Sequence, residues 1–242
     1  ILGSTAFFYI AGISNWPILA CVWAIVPIFN ALYFSQVPLK VLVEEEHRFS
    51  IKDLVTHKIF WVLCLLMICA GASELSMSQW ASAFAEAGLQ VSKTIGDLAG
   101  PCSFSVFMGL ARVFYAKFSE KINLQNFMIL SACLCIISYL LASLSQNPIL
   151  GLLGCSLCGL SVGILWPGTF SMAARKIPRG GTAMFAFLAL AGDLGCTSGP
   201  TVVGMVSQVM GENLKAGLLS AIVFPCLLLV GIFLSRKIKQ ED

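Results

Sequence analysis

Charged side chains are scarce in this sequence: Asp, Glu, Lys and Arg make up 11% of the 242 residues, and only two histidines are present. A soluble domain carries about 25% charged residues, because its surface must be solvated. Hydrophobic residues instead account for 58%, and the mean hydropathy is +0.89. This balance excludes a disordered chain, argues against a soluble globule, and predicts an all-α polytopic membrane protein.

Several signatures of soluble chemistry are missing as well. The sequence has no G-x-x-x-x-G-K-[ST] motif, which disfavours a nucleotide-driven pump, and no nucleophile with a neighbouring base that would predict an enzyme. The ten cysteines lie in apolar runs, including Cys155 and Cys158 in a C-x-x-C, whereas zinc and redox sites need charge-stabilising surroundings. We therefore expect no metal, no cofactor and no nucleic-acid partner.

Long apolar runs, in contrast, fill most of the chain. A helix needs about 20 apolar residues to cross the hydrocarbon core of a bilayer. We predict complete spans at 15–35, 58–83, 94–115, 124–144, 148–173, 180–209 and 214–235. Because the sequence opens at Ile1 inside an apolar run, we expect residues 1–12 to be the end of a further helix and the sequence to be a fragment.

The basic residues are distributed unevenly between the connections. Thirteen of the 15 lie in or beside alternate connections, whereas Lys93 and Lys215 lie on the other side. By the positive-inside rule, the side rich in basic residues is cytoplasmic. That side comprises the connections 36–57, 116–123 and 174–179 and the tail 236–242. The alternation supports the number of spans and predicts a cytoplasmic C-terminus.

The segment 36–57 is the one long connection, and it is mixed in charge. Within it, Ser50 and Asp53 fit the S-x-x-D pattern that caps the N-terminus of a helix. We therefore predict a short cytoplasmic helix from about Ile51 to Thr56 that leads into the next span.

Small residues recur at intervals of four in two of the spans. In the span 148–173 they are Gly151, Cys155, Gly159 and Gly163. In the span 180–209 they are Gly192, Cys196, Pro200 and Gly204. Such ridges predict close approach of a neighbouring helix, and Pro167 predicts a kink. Helices broken in this way surround the cavities of transporters, but the same residues also fit a rigid bundle.

Two carboxylates are predicted at membrane depth, where a charge costs about 2.5–3.5 kcal/mol on insertion scales. Glu74 lies about sixteen residues into its span and is followed by Gln79 and Trp80. We expect this polar stretch to line an aqueous cavity. Asp193 lies about thirteen residues into its own span. For both carboxylates, a structural hydrogen bond to a neighbouring helix is the alternative.

Three further residues are candidates for a functional role. Trp166 lies beside the predicted kink, where an aromatic ring can contact a solute. Arg112 and Lys117 lie near the cytoplasmic end of their span and are candidates for a gate or a loop motif. An arginine at this level can also extend to the interface or bond the carbonyls of a helix end.

Four stretches of the chain carry a resemblance to a known family. They are 109–121, which begins Gly-Leu-Ala-Arg; 166–178, which begins Trp-Pro-Gly-Thr; 192–204, with Gly-Pro at 199–200; and Ser-Asn-Trp at 14–16. The first is similar to the basic loop after the second helix of each half of the major facilitator superfamily. The others resemble the tenth helix and its loop, the eleventh helix, and the turn into the sixth helix of its fucose-permease-like sugar:proton symporters.

The resemblance implies twelve helices in two six-helix halves, of which this chain is the C-terminal one. It implies the end of the fifth and all of the sixth helix at 1–35, a linker at 36–57, a six-helix bundle at 58–235 and a cytoplasmic tail at 236–242. It also implies a missing N-terminal half of the same protein as partner and residence in the plasma membrane.

The residues and the resemblance together predict a secondary active transporter with proton-coupled uptake of a sugar or similar small polar solute by alternating access. Its candidates for binding the solute or coupling protons are Glu74, Gln79, Trp80, Trp166 and Asp193. Efflux of a drug or metabolite is one alternative. A membrane receptor or scaffold without transport is another.

Overall fold

The structure is a computed structural model that describes residues 2–38 and 49–238. All regular backbone in these two ranges is helical. The chain divides into two compact units, Ile1–Glu44 and Glu45–Asp242. Residues 39–48 of the predicted linker and residues 239–242 of the predicted tail lie outside the described ranges.

Two helices joined by a tight turn form the first unit. They are α1, Leu2–Ala11, and α2, Trp16–Phe34, with a 3₁₀ turn at Ile13–Asn15 between them. Gly12 begins the turn with a φ of +80°, which residues with a Cβ rarely adopt. The Asn15 side-chain amide then donates a hydrogen bond to the Ala11 carbonyl, which fixes the turn before α2.

Within the described residues, the second unit contains ten α-helices. They are α3 (Ile51–Thr56), α4 (Lys58–Ala83), α5 (Lys93–Asp97), α6 (Ser103–Phe118), α7 (Leu124–Leu144), α8 (Pro148–Val162), α9 (Leu165–Lys176), α10 (Gly181–Val209), α11 (Leu214–Ser220) and α12 (Val223–Lys237). A π-helical turn follows α4 at Phe84–Gly88, and another joins α5 to α6 at Leu98–Cys102.

Seven helical stretches of the described residues are long and apolar enough to cross a membrane. They are Trp16–Phe34, Lys58–Gly88, Lys93–Phe118, Leu124–Leu144, Pro148–Lys176, Gly181–Val209 and Leu214–Lys237. Each coincides with one predicted span, so the prediction of an all-α membrane protein with seven complete spans is confirmed. Several helices extend past the predicted ends, because basic residues in the last turn favour the helix dipole and continue the helix.

The predicted short helix α3 is confirmed together with its cap. The Asp53 N–H donates to the Ser50 hydroxyl at 3.2 Å, and the Ser50 N–H donates to the Asp53 carboxylate at 3.3 Å. Hydrogen bonds from the Ser50 hydroxyl and then from its N–H hold the pKa of the Asp53 carboxyl below its ordinary value. Leu54 is buried, and the Phe49 N–H donates to the Arg179 carbonyl at 3.0 Å, which attaches this segment to the turn before α10.

The helices α4 and α10 have the most extensive contact within the second unit, and glycines make it possible. A Cβ on Gly195 of α10 would lie 2.0 Å from the Ile68 carbonyl oxygen of α4. From the opposite side, a Cβ on Gly71 would lie 2.3 Å from the Gly192 carbonyl oxygen. The close approach predicted for the span 180–209 is therefore confirmed, with α4 as the neighbouring helix.

The small-residue ridge of α8 packs against more than one neighbour. A Cβ on Gly159 would lie 2.1 Å from the Phe104 carbonyl oxygen of α6. Cys155, the other ridge member in the middle of α8, instead places its thiol 3.6 Å from the Met77 sulfur of α4. The predicted ridge is thus confirmed as a packing surface, but it serves two helices rather than one.

These glycine contacts generate a stability prediction. We expect Gly195→Ala to lower the free energy of unfolding by about 1–3 kcal/mol, because the added methyl overlaps the Ile68 carbonyl. The measurement is the thermal denaturation of the purified protein in detergent.

Gly109→Ala is the matched control, because a Cβ there meets nothing within 4 Å. It should leave stability unchanged or raise it slightly, since alanine is the better helix former. Equal denaturation temperatures for the two variants would contradict the packing described here.

Candidate functional site

An open cavity of about 430 Å³ lies among four helices of the second unit. It is lined by Glu74 of α4, Arg112 of α6, Trp166, Pro167 and Phe170 of α9, and Cys196 of α10. The volume is within the range of about 300–1,000 Å³ that is usual for small-molecule sites. The structure therefore brings together three residues predicted from the sequence: Glu74, Arg112 and Trp166.

Glu74 lies midway along the membrane-length stretch Lys58–Gly88, as the 17th of its 31 residues. Its side chain is half-buried at the cavity wall. The Arg112 guanidinium acts on it electrostatically. Within the described ranges, however, no ion pair joins these two groups at 4.0 Å or less. The cavity thus holds a carboxyl group and a guanidinium that no ion pair joins directly.

Arg112 is held in place by a backbone group that Pro167 leaves without a helical partner. A proline nitrogen cannot donate to the carbonyl four residues earlier, which is that of Gly163. Arg112 Nε donates to this Gly163 oxygen at 3.2 Å, and Nη2 lies 3.7 Å from the Met108 sulfur. The predicted kink is confirmed as a break between α8 and α9, one turn before the proline.

An aromatic wall forms one side of the cavity. The rings of Trp166 and Phe170 lie 6.1 Å apart at 61°, and the ring of Phe185 lies 5.8 Å from that of Phe170. Gly192 of α10 leaves the space that the indole of Trp166 occupies, since a Cβ there would lie 2.5 Å from Cη2. The position of the Trp166 ring therefore depends on Gly192, although this glycine is not among the residues that line the cavity.

Asp193 is near the cavity but does not line it. Its side chain is exposed, and its carbonyl accepts a hydrogen bond from the Thr197 hydroxyl at 2.9 Å. Cys196, three residues further along α10, does line the cavity. Within the described residues, α10 therefore contributes a half-buried thiol to the cavity wall, and the carboxylate of Asp193 lies three residues before it in the same helix.

Gln79 and Trp80 do not line the cavity with Glu74. Trp80 Nε1 donates to the Pro200 carbonyl at 3.0 Å, and its ring packs against Gly204 of α10. Gln79 is exposed. The physical reason is the helical period: six residues turn the side chain by about 240° beyond one full turn, so Trp80 leaves the face of Glu74.

Lys117 also lies outside the cavity. Its Nζ is 5.7 Å from the centroid of the Phe118 ring, and its side chain is exposed. The expectation that Arg112 and Lys117 act together in one motif is therefore not supported by a shared location, because Arg112 lines the cavity and Lys117 does not.

Sequence reasoning missed Phe170 and Cys196 as cavity residues. Phe170 is four residues after Trp166, so helical spacing from this tryptophan is a signal that could have found it. No such signal exists for Cys196, because Asp193, three residues before it, does not line the cavity. The sequence analysis considered Cys196 only as a member of the small-residue ridge of its span and did not single out Phe170.

Comparison with known proteins relates this fold to one family. The family model of the Major Facilitator Superfamily matches residues 1–200. Among solved structures, the chain is similar to an MFS transporter, FucP, in the outward conformation, with a TM-score of 0.73 and 13% identity, which shows the fold alone. The match covers 96% of this chain and 57% of that chain, so this chain spans little more than half the length of FucP. No curated protein sequence matches.

The position of Cys196 generates a labelling prediction. In a variant with Cys196 as its single cysteine, we expect a water-soluble maleimide to react at least about tenfold faster than in a variant that keeps only Cys155, because buried groups react only through local opening. Cys155 is the matched control, since it is fully buried between helices. Equal rates, measured by mass spectrometry, would mean that the cavity is not accessible to water.

Proposed function

Because this chain belongs to the Major Facilitator Superfamily, a family of membrane transporters and not of enzymes, we propose that it forms one half of the solute pathway in a secondary active transporter. The protein is an integral membrane protein with multiple spans. The observation that carries the proposal is the open cavity beside Glu74, midway along the stretch Lys58–Gly88, with a carboxyl group, a guanidinium and an aromatic wall.

The proposed organisation follows the helices of a twelve-helix transporter. Residues 1–35 are the end of the fifth and all of the sixth helix, 36–57 the linker, 58–235 the C-terminal bundle, and 236–242 the tail. The match covers 57% of the FucP chain, which supports this assignment. The six helices of one half, together with the sixth helix and the end of the fifth, make up a similar fraction of a twelve-helix chain. In this arrangement the N-terminal half supplies the opposite wall of the pathway.

The proposed solute is a small polar compound such as a sugar. Two features support it. The rings of Trp166 and Phe170 offer an apolar surface, as the C–H faces of sugars need, and the neighbouring charged groups offer hydrogen bonds. FucP, the similar structure, is a transporter of the same superfamily, although at 13% identity it supports the fold and not the substrate.

Glu74 is the proposed site of proton coupling. A carboxyl group at membrane depth can carry a proton between two aqueous sides, and Glu74 is half-buried while lining a cavity. Among the described residues no hydrogen bond or ion pair holds its carboxylate in place, as a purely structural role would require. Asp193, exposed on α10, is the second candidate.

The test is Glu74→Gln with both halves of the transporter present in proteoliposomes. If Glu74 couples protons, accumulation driven by a proton gradient should fall sharply, whereas exchange of labelled for unlabelled solute is spared, because the amide keeps the shape but carries no proton. Glu86→Gln is the matched control. Glu86 is an exposed carboxylate, 3.8 Å from the Lys93 ammonium, and it does not line the cavity.

The other outcomes distinguish the remaining roles. Loss of both accumulation and exchange would assign Glu74 to solute binding alone. Unchanged accumulation with unchanged pH dependence would exclude Glu74 from the site. Solute-driven alkalinisation of the medium supports uptake by symport, resistance to toxic cations supports efflux, and binding without flux supports a receptor.

The proposed orientation places the segment 36–57 and the C-terminal tail in the cytoplasm of a cell with the protein in its plasma membrane. It rests on the excess of basic residues at alternate connections. Reporters fused after Gln90 and after Lys237 should therefore report opposite sides of the membrane. A result with both reporters on one side would contradict the number of spans between them.

A further inference from the structure

We propose that the transported solute carries a carboxylate and that Arg112 binds it in the cavity. This inference rests on the proposed function and narrows it to organic anions, such as sugar acids. Its basis is the arrangement of charges around the cavity: a guanidinium of α6 on one side, a separate carboxylate of α4 on another, and open volume in which a solute can lie.

Arg112 retains donors after its protein contacts are made. A guanidinium has five N–H groups in a planar fork. In this structure one of them, on Nε, donates to the Gly163 carbonyl, and Nη2 contacts the Met108 sulfur. The remaining N–H groups belong to a side chain that is exposed and lines the cavity. They match the two oxygens of a carboxylate, which arginine binds in bidentate geometry.

A neutral solute would not account for this positive charge. Arg112 lies within the membrane-length stretch Lys93–Phe118, six residues before its end, and its side chain lines the cavity, where its charge can meet a solute. Within the described ranges, no carboxylate of the protein lies within 4.0 Å of the Arg112 guanidinium. The contact to Gly163 fixes the position of the guanidinium but does not compensate its charge, because a carbonyl is neutral. An anionic solute supplies the missing compensation.

The charges on the other helices predict opposite effects for two substitutions. Glu74 of α4 and Asp193 of α10 are negative when ionised and repel an anion, whereas α9 contributes only Trp166, Pro167 and Phe170 to the wall. Removing the charge of Arg112 should therefore weaken binding of a carboxylate. Removing the charge of Glu74 should leave that binding unchanged or strengthen it, because a repulsion is lost.

The experiment measures protection of Cys196 against maleimide, in the single-cysteine protein with both halves of the transporter present. The probes are matched pairs that differ in charge: glucuronate with glucose, gluconate with sorbitol, and succinate with 1,4-butanediol. We expect at least one carboxylate to protect Cys196 at a concentration at least about tenfold below that of its neutral partner.

Arg112→Gln should abolish this preference, because glutamine keeps a donor for the Gly163 carbonyl but removes the charge. Arg112→Lys keeps the positive charge and should retain part of the preference for carboxylates. If Arg112→Gln fails to fold, this second variant still tests whether the charge at position 112 is responsible. Lys58→Gln, which removes a positive charge at the start of the same helix as Glu74, is the control and should change nothing.

Several results would overturn the inference. The first two are equal protection of Cys196 by both members of every pair, and protection by none of the probes. The third is a preference for carboxylates that survives Arg112→Gln. The fourth is a loss of protection by the carboxylates that is larger in Glu74→Gln than in Arg112→Gln. The last result would indicate that Glu74, and not Arg112, makes the main contact with the probes. Carboxylate-selective protection without any transport would instead contradict the proposed function, and with it the identity of the transported solute, while binding of a carboxylate at Arg112 would stand.

Discussion

A single backbone carbonyl connects the shape of this site with its charge. In a bilayer no water is available to unpaired backbone groups, so every interruption of a helix needs a partner from the protein or a cavity. Pro167 interrupts the helix and removes the usual donor to Gly163, and Arg112 supplies a donor in its place. One hydrogen bond therefore relates three features of the site. It satisfies the carbonyl at the break between α8 and α9, and it holds the guanidinium beside the cavity that Glu74 also lines.

Close packing of the helices stabilises the arrangement around the cavity without a hydrophobic driving force. Lipid tails are as apolar as the helix surfaces, so association in a membrane depends on short contacts between backbones. Gly71 and Gly195 bring α4 and α10 together, and Gly159 brings α8 against α6. These contacts join two of the four cavity helices, α4 and α10, to each other, and attach a third, α6, to α8. The buried thiol of Cys155 lies against the Met77 sulfur and fills space in the same packing.

The sequence alone could predict most of the fold and part of the site. Apolar runs and alternating basic connections predict the seven membrane-length helices, and the Ser50–Asp53 cap predicts α3, because both signals are local in the chain. Glu74 stands out because carboxylates at membrane depth are rare. The separation of Trp80 from Glu74 follows from helical period, but its bond to Pro200 depends on which helix is the neighbour. For the same reason, no local pattern predicts that Arg112 and Cys196 meet at one cavity.

Gly192 has a consequence for the range of compounds that this cavity can admit. The indole of Trp166 lies where a side chain at 192 would otherwise be, so the depth of the aromatic wall is set by the absence of a single methyl group. Any larger residue there displaces the ring, and the cavity changes its dimensions while its charges stay in place. The dimensions of the cavity therefore depend on position 192, whereas its charged groups stand at positions 74 and 112.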